Sequence, residues 1–134
     1  MICPCGSNHN YEGCCERLHL GEVAQTPEQL MRSRYSAFVV GNVNYLLQTW
    51  HPSTRPTLNL DDNPDWQKLD ILSTSHPAPS PFSAPAQEGD EGFVHFKAYY
   101  RLPENTGGGL ACLEEKSRFV FENGCWFYID GHIF

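Results

Sequence analysis

The sequence holds six cysteines, and four of them, Cys3, Cys5, Cys14 and Cys15, crowd into its first fifteen residues. Two tight thiol pairs separated by eight residues have the spacing of a metal site. A single residue, Pro4, separates Cys3 from Cys5, so both sulfurs can turn onto one ion. Residues 6–13 are long enough to fold back and bring Cys14 and Cys15 to the remaining corners of a tetrahedron. Gly6 frees the backbone to send N–H groups toward sulfur, which helps hold thiolate charge. Zinc suits this donor set best, being soft enough for sulfur, redox-silent and content with four thiolates at about 2.3 Å. Such a site has no open coordination position, so one Zn²⁺ per chain would be structural. In zinc-finger peptides such binding is worth about 10–16 kcal/mol, enough to hold a turn-rich segment with no core of its own. A redox pair, an iron–sulfur cluster, and His9 or His19 as substitute ligands compete for the same residues.

A second constellation is spread along the chain. Arg34 and Tyr35 fall on one predicted helix, Trp50 and His51 at the end of the next, and Trp126, Tyr128 and Asp130 on the last predicted strand. With Asn123-Gly124 as a two-residue hairpin loop, Phe121 faces Trp126, Phe119 faces Tyr128, Ser117 faces Asp130, and Glu115 faces His132. An apolar wall with a few convergent polar groups is the composition of a small-ligand site, and an Asp beside apolar surface can act as a general base. The competing reading is plainer: the aromatics form core, Asp130 pairs with Arg32 or Arg34, and His51 caps a helix end. An enclosed cavity of about 300 Å³ or more, with Asp130 and His51 directed into it, would favour the ligand reading, and a cone filled by its own aromatics would favour an adaptor.

The elements that must position these residues are readable. Residues 1–25 are rich in Pro, Gly and Asn and read as a knob without a long helix. Thr26-Pro27-Glu28-Gln29 is a helix start, with Thr26 capping, Pro27 in the first turn and Gln29 completing a capping box. Leu30, Met31, Tyr35, Phe38 and Val39 recur at helical spacing, and Gly41 supplies the stop. Asn42 can cap a second helix carrying Val43, Leu46, Leu47 and Trp50, which His51-Pro52 ends. Asn63-Pro64 predicts a short helical turn holding Trp66, and a first strand is expected over 69–75. Prolines 77, 79, 81 and 85 make 77–91 a loop. Alternation then predicts strands over 92–102, 110–122 and 125–133, with a glycine-rich turn at 103–109. Helices followed by an antiparallel sheet define an α+β fold.

Composition removes several functions. The chain has 134 residues, 40% apolar and 13% aromatic, with a formal charge of −7, so it is globular and carries no basic surface for nucleic acid. It contains no apolar run of about 20 residues to cross a membrane and no signal-peptide pattern after Met1, which points to the cytoplasm. There thiols stay reduced, favouring a metal over disulfides.

Three blocks carry a family resemblance. Cys3-Pro4-Cys5-Gly6-Ser7, with Tyr11 and Cys14-Cys15, resembles the SEC-C zinc-binding motif, named for the C-terminus of the translocase motor SecA. Met31–Phe38 with Tyr45-Leu46 and Thr49-Trp50-His51-Pro52 is similar to the bacterial YchJ family, as is Lys116–Phe119 with Gly124-x-Trp126-x-Tyr128-Ile129-Asp130-Gly131. The resemblance implies a SEC-C knob over 1–25 and an NTF2-like domain over 26–134, a cone of helices packed on a curved antiparallel sheet. It implies no established activity. In SecA the motif is an interaction module associated with the chaperone SecB and the ribosome, so a protein partner is expected here, with a homodimer through the sheet as a further expectation. Residues 8–13, Asn-His-Asn-Tyr-Glu-Gly, lack the lysines usual between the cysteine pairs, which weakens the carry-over of ribosome or acidic-partner binding.

Overall fold

The computed structural model describes residues 1–75 and 86–134; residues 76–85, with His76 and most of the proline-rich stretch, lie outside the described residues. Helix α1 spans Cys15–His19, α2 spans Pro27–Val40, and α3 spans Val43–Gln48. Strands β1 (Asp65–Ser75), β2 (Glu91–Arg101), β3 (Leu110–Glu122) and β4 (Cys125–Ile133) form one antiparallel sheet in chain order.

Local chemistry sets the helix ends. Thr26 Oγ1 accepts from the Gln29 amide at 3.1 Å, while the Gln29 side chain accepts from the Gln25 amide rather than that of Thr26. The reciprocal arm of the expected capping box is therefore displaced by one residue. Gly41 closes α2 in the left-handed region at φ +80°, and Asn42 Oδ1 accepts from the Tyr45 amide to start α3. That helix stops at Gln48, so Trp50 leaves the helical register and forms a parallel bridge with Tyr128 on β4.

Two expectations are corrected. Trp66 sits in β1, not in a helical turn, and its indole N–H donates to Asn63 Oδ1 at 3.0 Å. Asn63 in turn donates to the Phe38 carbonyl at 2.8 Å. Asn63-Pro64 thus locks the chain entering β1 onto the end of α2. The second correction lies in the last hairpin. Asn123 and Gly124 hold φ of +53° and +81° and turn the chain as expected, with Phe121 opposite Trp126 and Phe119 opposite Tyr128. A bulge then inserts Ile129, and the register shifts so that Arg118 pairs with Asp130 and Ser117 with Gly131. One extra residue turns the remaining side chains of β4 to the opposite face.

The core lies between α2, α3 and the inner sheet face. Leu30, Leu46, Val94, Ala98, Phe119 and Trp126 are buried there, with Met31, Tyr35 and Phe96 around them. Each large apolar side chain in that layer contributes about 1.5–3 kcal/mol by leaving water. Cys112 is exposed and Cys125 half-buried. No helix among the described residues is long and apolar enough to cross a membrane.

Candidate functional site

The N-terminal knob closes on itself through short backbone bonds, Cys3 N–H to His9 O at 2.8 Å and Tyr11 N–H to Met1 O at 2.9 Å. Gly6 and Asn8 adopt φ of +83° and +68° in the turn between them. The result gathers the four thiols, whose sulfurs all lie within 4.8 Å of one another. A zinc ion with Zn–S of about 2.3 Å requires tetrahedral edges of roughly 3.8 Å, and the Cys5–Cys14 separation is 3.7 Å. Four sulfurs with no competing oxygen ligand fit zinc by chemistry as well as by size. Cys3, Cys5 and Cys15 are buried, and Cys14 is the half-exposed corner, held by Ser7 Oγ at 3.2 Å.

Protonation within the cluster is uneven. The Cys15 thiol donates to Cys5 and holds it down to about 4, against the effect of burial. Cys15 moves the opposite way, pushed up by the same bond and by burial. These are two sides of one shared proton, and the direction that stands is a thiolate at Cys5 supported by a thiol at Cys15. Burial raises Cys14, against the Ser7 hydroxyl.

The knob is locked to α2. Arg32 Nη1 donates to the Cys5 carbonyl at 2.5 Å, and Cys3 Sγ meets the buried Ser36 hydroxyl at 3.5 Å. His19 joins the two bodies: Nε2 donates to the Ser33 carbonyl at 2.8 Å, so Nδ1 is the acceptor for the Tyr11 hydroxyl at 2.6 Å. With both ring nitrogens engaged, His19 is not a substitute ligand, and the close-packed cluster comprises the four cysteines without His9.

The second constellation is divided. Arg34, Tyr35, Trp50 and Tyr128 come together at a cavity of about 180 Å³ between α2 and the sheet. Met31, Phe38, Trp66, Phe96, Ala98 and Leu113 form its apolar wall, and Glu115 and Ser117 supply polar groups. His51, Trp126 and Asp130 are not in it. His51 bonds Glu122 at 2.6 Å and Ser53 at 2.7 Å at the sheet's edge. Trp126 is core, packed against Phe121. Asp130, displaced by the bulge, forms a two-pronged pair with Arg118 at 2.9 and 2.7 Å on the exposed face. Arg118 donating to it holds Asp130 below its ordinary value, the opposite of what a general base needs.

Glu115, expected as a polar group on the hairpin face, does line the cavity. Its carboxylate accepts from the Ser117 and Tyr128 hydroxyls, the latter at 3.2 Å, and lies over Gly131. The signal for the Gly131 contact is a glycine at a strand position where a side chain would normally stand. Arg34, 4% exposed, stacks between Trp50 and Tyr128 with Cζ 4.9 and 4.8 Å from their ring centres. Its Nη1 donates to Leu46 O and Thr49 Oγ1, and neither Arg34 nor Arg32 pairs with Asp130. Burial pulls the Arg34 guanidinium down to about 10, which leaves it charged at neutral pH.

A four-cysteine knob fixed to helices packed on a curved sheet defines a SEC-C type, NTF2-like protein. The family model described as "YchJ, middle NTF2-like domain" matches residues 26–131, and the chain belongs to this family. A UPF0225 protein of Vibrio cholerae is 43% identical over 98% of this chain and 82% of its own. A UPF0225 protein of Streptomyces coelicolor is 47% identical over 96% and 93%. The solution structure of a SEC-C motif containing protein from Rhodopseudomonas palustris matches with a TM-score of 0.78 at 31% identity, covering 98% of both chains. A crystal structure of a SEC-C motif containing protein from Psychrobacter arcticus matches at 0.74 and 27%, covering 97% of this chain and 81% of that one.

Proposed function

We propose that Cys3, Cys5, Cys14 and Cys15 hold one structural Zn²⁺ and that the chain is a cytoplasmic adaptor whose metal-held knob presents a surface to a protein partner. The observation that carries the reading is the sulfur quartet, four close thiols of which Cys3, Cys5 and Cys15 are buried. A site with four protein ligands supplies folding energy and leaves no position for a reacting water. The SEC-C resemblance supports an interaction role. An open groove of about 420 Å³ runs between knob and α2, where His9, Arg17, Gln25 and Arg32 stand beside Cys14. Arg17 and Arg32 are already paired with Glu22 and Glu28, so the groove is mixed in charge and not an anion trap. With the chain at −7, nucleic acid is a poor occupant.

Elemental analysis of protein purified under reducing conditions tests the metal. One zinc per chain, absent from a Cys14→Ser/Cys15→Ser variant, is expected; no metal and four freely alkylated thiols would overturn it. A photocrosslinking residue at Arg17 tests the adaptor role in cells. A discrete protein adduct that disappears in the double-serine variant is expected. No adduct, or the same adduct without the cysteines, would count against it.

A further inference from the structure

Arg34 and Glu115 carry opposite charges into one cavity yet do not meet. No carboxylate among the described residues forms an ion pair with Arg34, although Glu115 is felt electrostatically. Arg34 spends only Nη1 on the protein, which leaves its Nε–Nη2 edge without a partner. Trp50 Nε1 is the one sealed side-chain nitrogen or oxygen lacking a partner among the described residues. The free Arg34 edge is therefore not sealed, and at 4% exposure the space it can reach is the cavity that it lines. Across the cavity, Glu115 Oε2 is taken by Ser117 and Tyr128, and Oε1 has no partner among the described residues.

Tyr128 touches both groups. Arg34 Cζ stands 4.8 Å from its ring centre, and Glu115 Oε2 lies 3.2 Å beyond its hydroxyl. A donor edge and an acceptor thus flank one ring, and a ligand head carrying one acceptor and one donor can serve both. The wall is apolar and aromatic, and the volume, about 180 Å³, is close to the roughly 150 Å³ cavity that accepts a benzene ring. We infer that this cavity is a binding site for a small, ring-sized ligand bearing a carboxamide-type head, its C=O on the Arg34 edge and its N–H on Glu115. A carboxylate head would satisfy Arg34 but face Glu115 with like charge, and a plain hydrocarbon would leave both polar groups unpaired. None of this depends on the metal reading.

Benzamide is the probe, titrated into the full zinc-loaded chain while the Trp50 indole N–H and the backbone amides are followed by NMR. Saturable shifts confined to cavity residues are expected, with a Kd in about the millimolar range or below. Benzoate, acetophenone and toluene should each bind at least about tenfold more weakly, a difference of about 1.4 kcal/mol. Ala98→Leu, which fills the cavity, and Arg34→Lys, which keeps charge but loses the planar edge, should each weaken benzamide to a similar degree. The comparison among probes on the unmodified chain stands even where a variant fails to fold. Benzoate binding more tightly than benzamide would replace the carboxamide site with an anion site and overturn the inference. Equal binding of toluene, or no saturable shift with benzamide, would overturn it as well.

Discussion

Gly131→Ala is the sharpest probe of how the cavity is built. A Cβ at this position would stand 2.6 Å from Glu115 Cδ and 2.9 Å from its Cγ, so the Glu115 side chain has to leave. Its departure breaks the bonds to the Ser117 and Tyr128 hydroxyls. Hydrogen bonds to a charged group are worth about 1.5–3 kcal/mol each. Glu115 is half-buried and its displaced head can recruit water, so a combined loss of about 2–3 kcal/mol is expected from the low end of that range. Gly131 has no positive φ to preserve. With Glu115→Ala already in place, Gly131→Ala should therefore be neutral or stabilising by about 0.5–1 kcal/mol. The assay is urea and thermal unfolding of wild type, both singles and the double variant at neutral pH with zinc present. The cycle should return a coupling energy of about 3 kcal/mol, and the single variant should melt roughly 6–12 °C below wild type. If Gly131→Ala costs the same in both backgrounds, or nothing in either, Glu115 does not occupy the position from which the cavity chemistry is argued.

Three further outcomes follow from particular contacts. Asp130→Asn should cost less than about 1 kcal/mol, because its pair with Arg118 is exposed. Its carboxyl is held low by Arg118, so what the pair contributes is present above the ordinary carboxylate pKa and is lost as pH falls; melts of variant and wild type should converge in acid. Asn42→Ala removes the acceptor of the Tyr45 amide at the start of α3 and should cost about 1 kcal/mol in urea unfolding. Burial pushes Tyr35 and Tyr45 up from 10 to about 12. The folded state therefore holds more protons than the unfolded chain between those values, and this stabilisation is complete below pH 10 and lost as pH rises toward 12. Phenolate absorbance should show a second, late rise coincident with loss of tertiary circular dichroism; a single rise at the ordinary tyrosine value would contradict the buried placement.

The features legible in the sequence are those fixed by local chemistry. Thr26, Gly41 and Asn42 mark helix ends through bonds within a few residues, and Asn123-Gly124 marks a turn through its own φ preference. The cysteine cluster is legible because its ligands are close in sequence as well as in space. What failed depends on partners remote in the chain. Trp66 follows a plausible capping Asn63, yet that side chain bonds Phe38 O and the Trp66 indole, which places Trp66 in a strand. Asp130 shares a two-residue alternation with Tyr128, and no residue type announces the bulge at Ile129 that turns it outward. The pocket residues proposed on α2 and at Trp50 and Tyr128 converge because they precede that bulge or lie on other elements. Glu115 is legible as a polar group on that face, but its contact with Gly131 depends on the bulge that sets Gly131 opposite Ser117.

Helix α2 serves both sites with different faces. Arg32, Ser33 and Ser36 hold the knob, while Met31, Arg34, Tyr35 and Phe38, at i, i+3, i+4 and i+7, line the cavity. The two faces have separate anchors. Arg34 is tied to Leu46 in α3 and to Thr49 just after it, and is stacked on Trp50 and Tyr128. Removing the metal should therefore loosen Arg32 from Cys5, Cys3 from Ser36 and Tyr11 from His19 without withdrawing Arg34 from the cavity. Hydrogen exchange with and without a chelator separates the two faces: protection should fall over residues 1–20 and persist at the Leu46 amide and along β3. Uniform loss of protection would instead make the cysteine cluster the foundation of the whole fold.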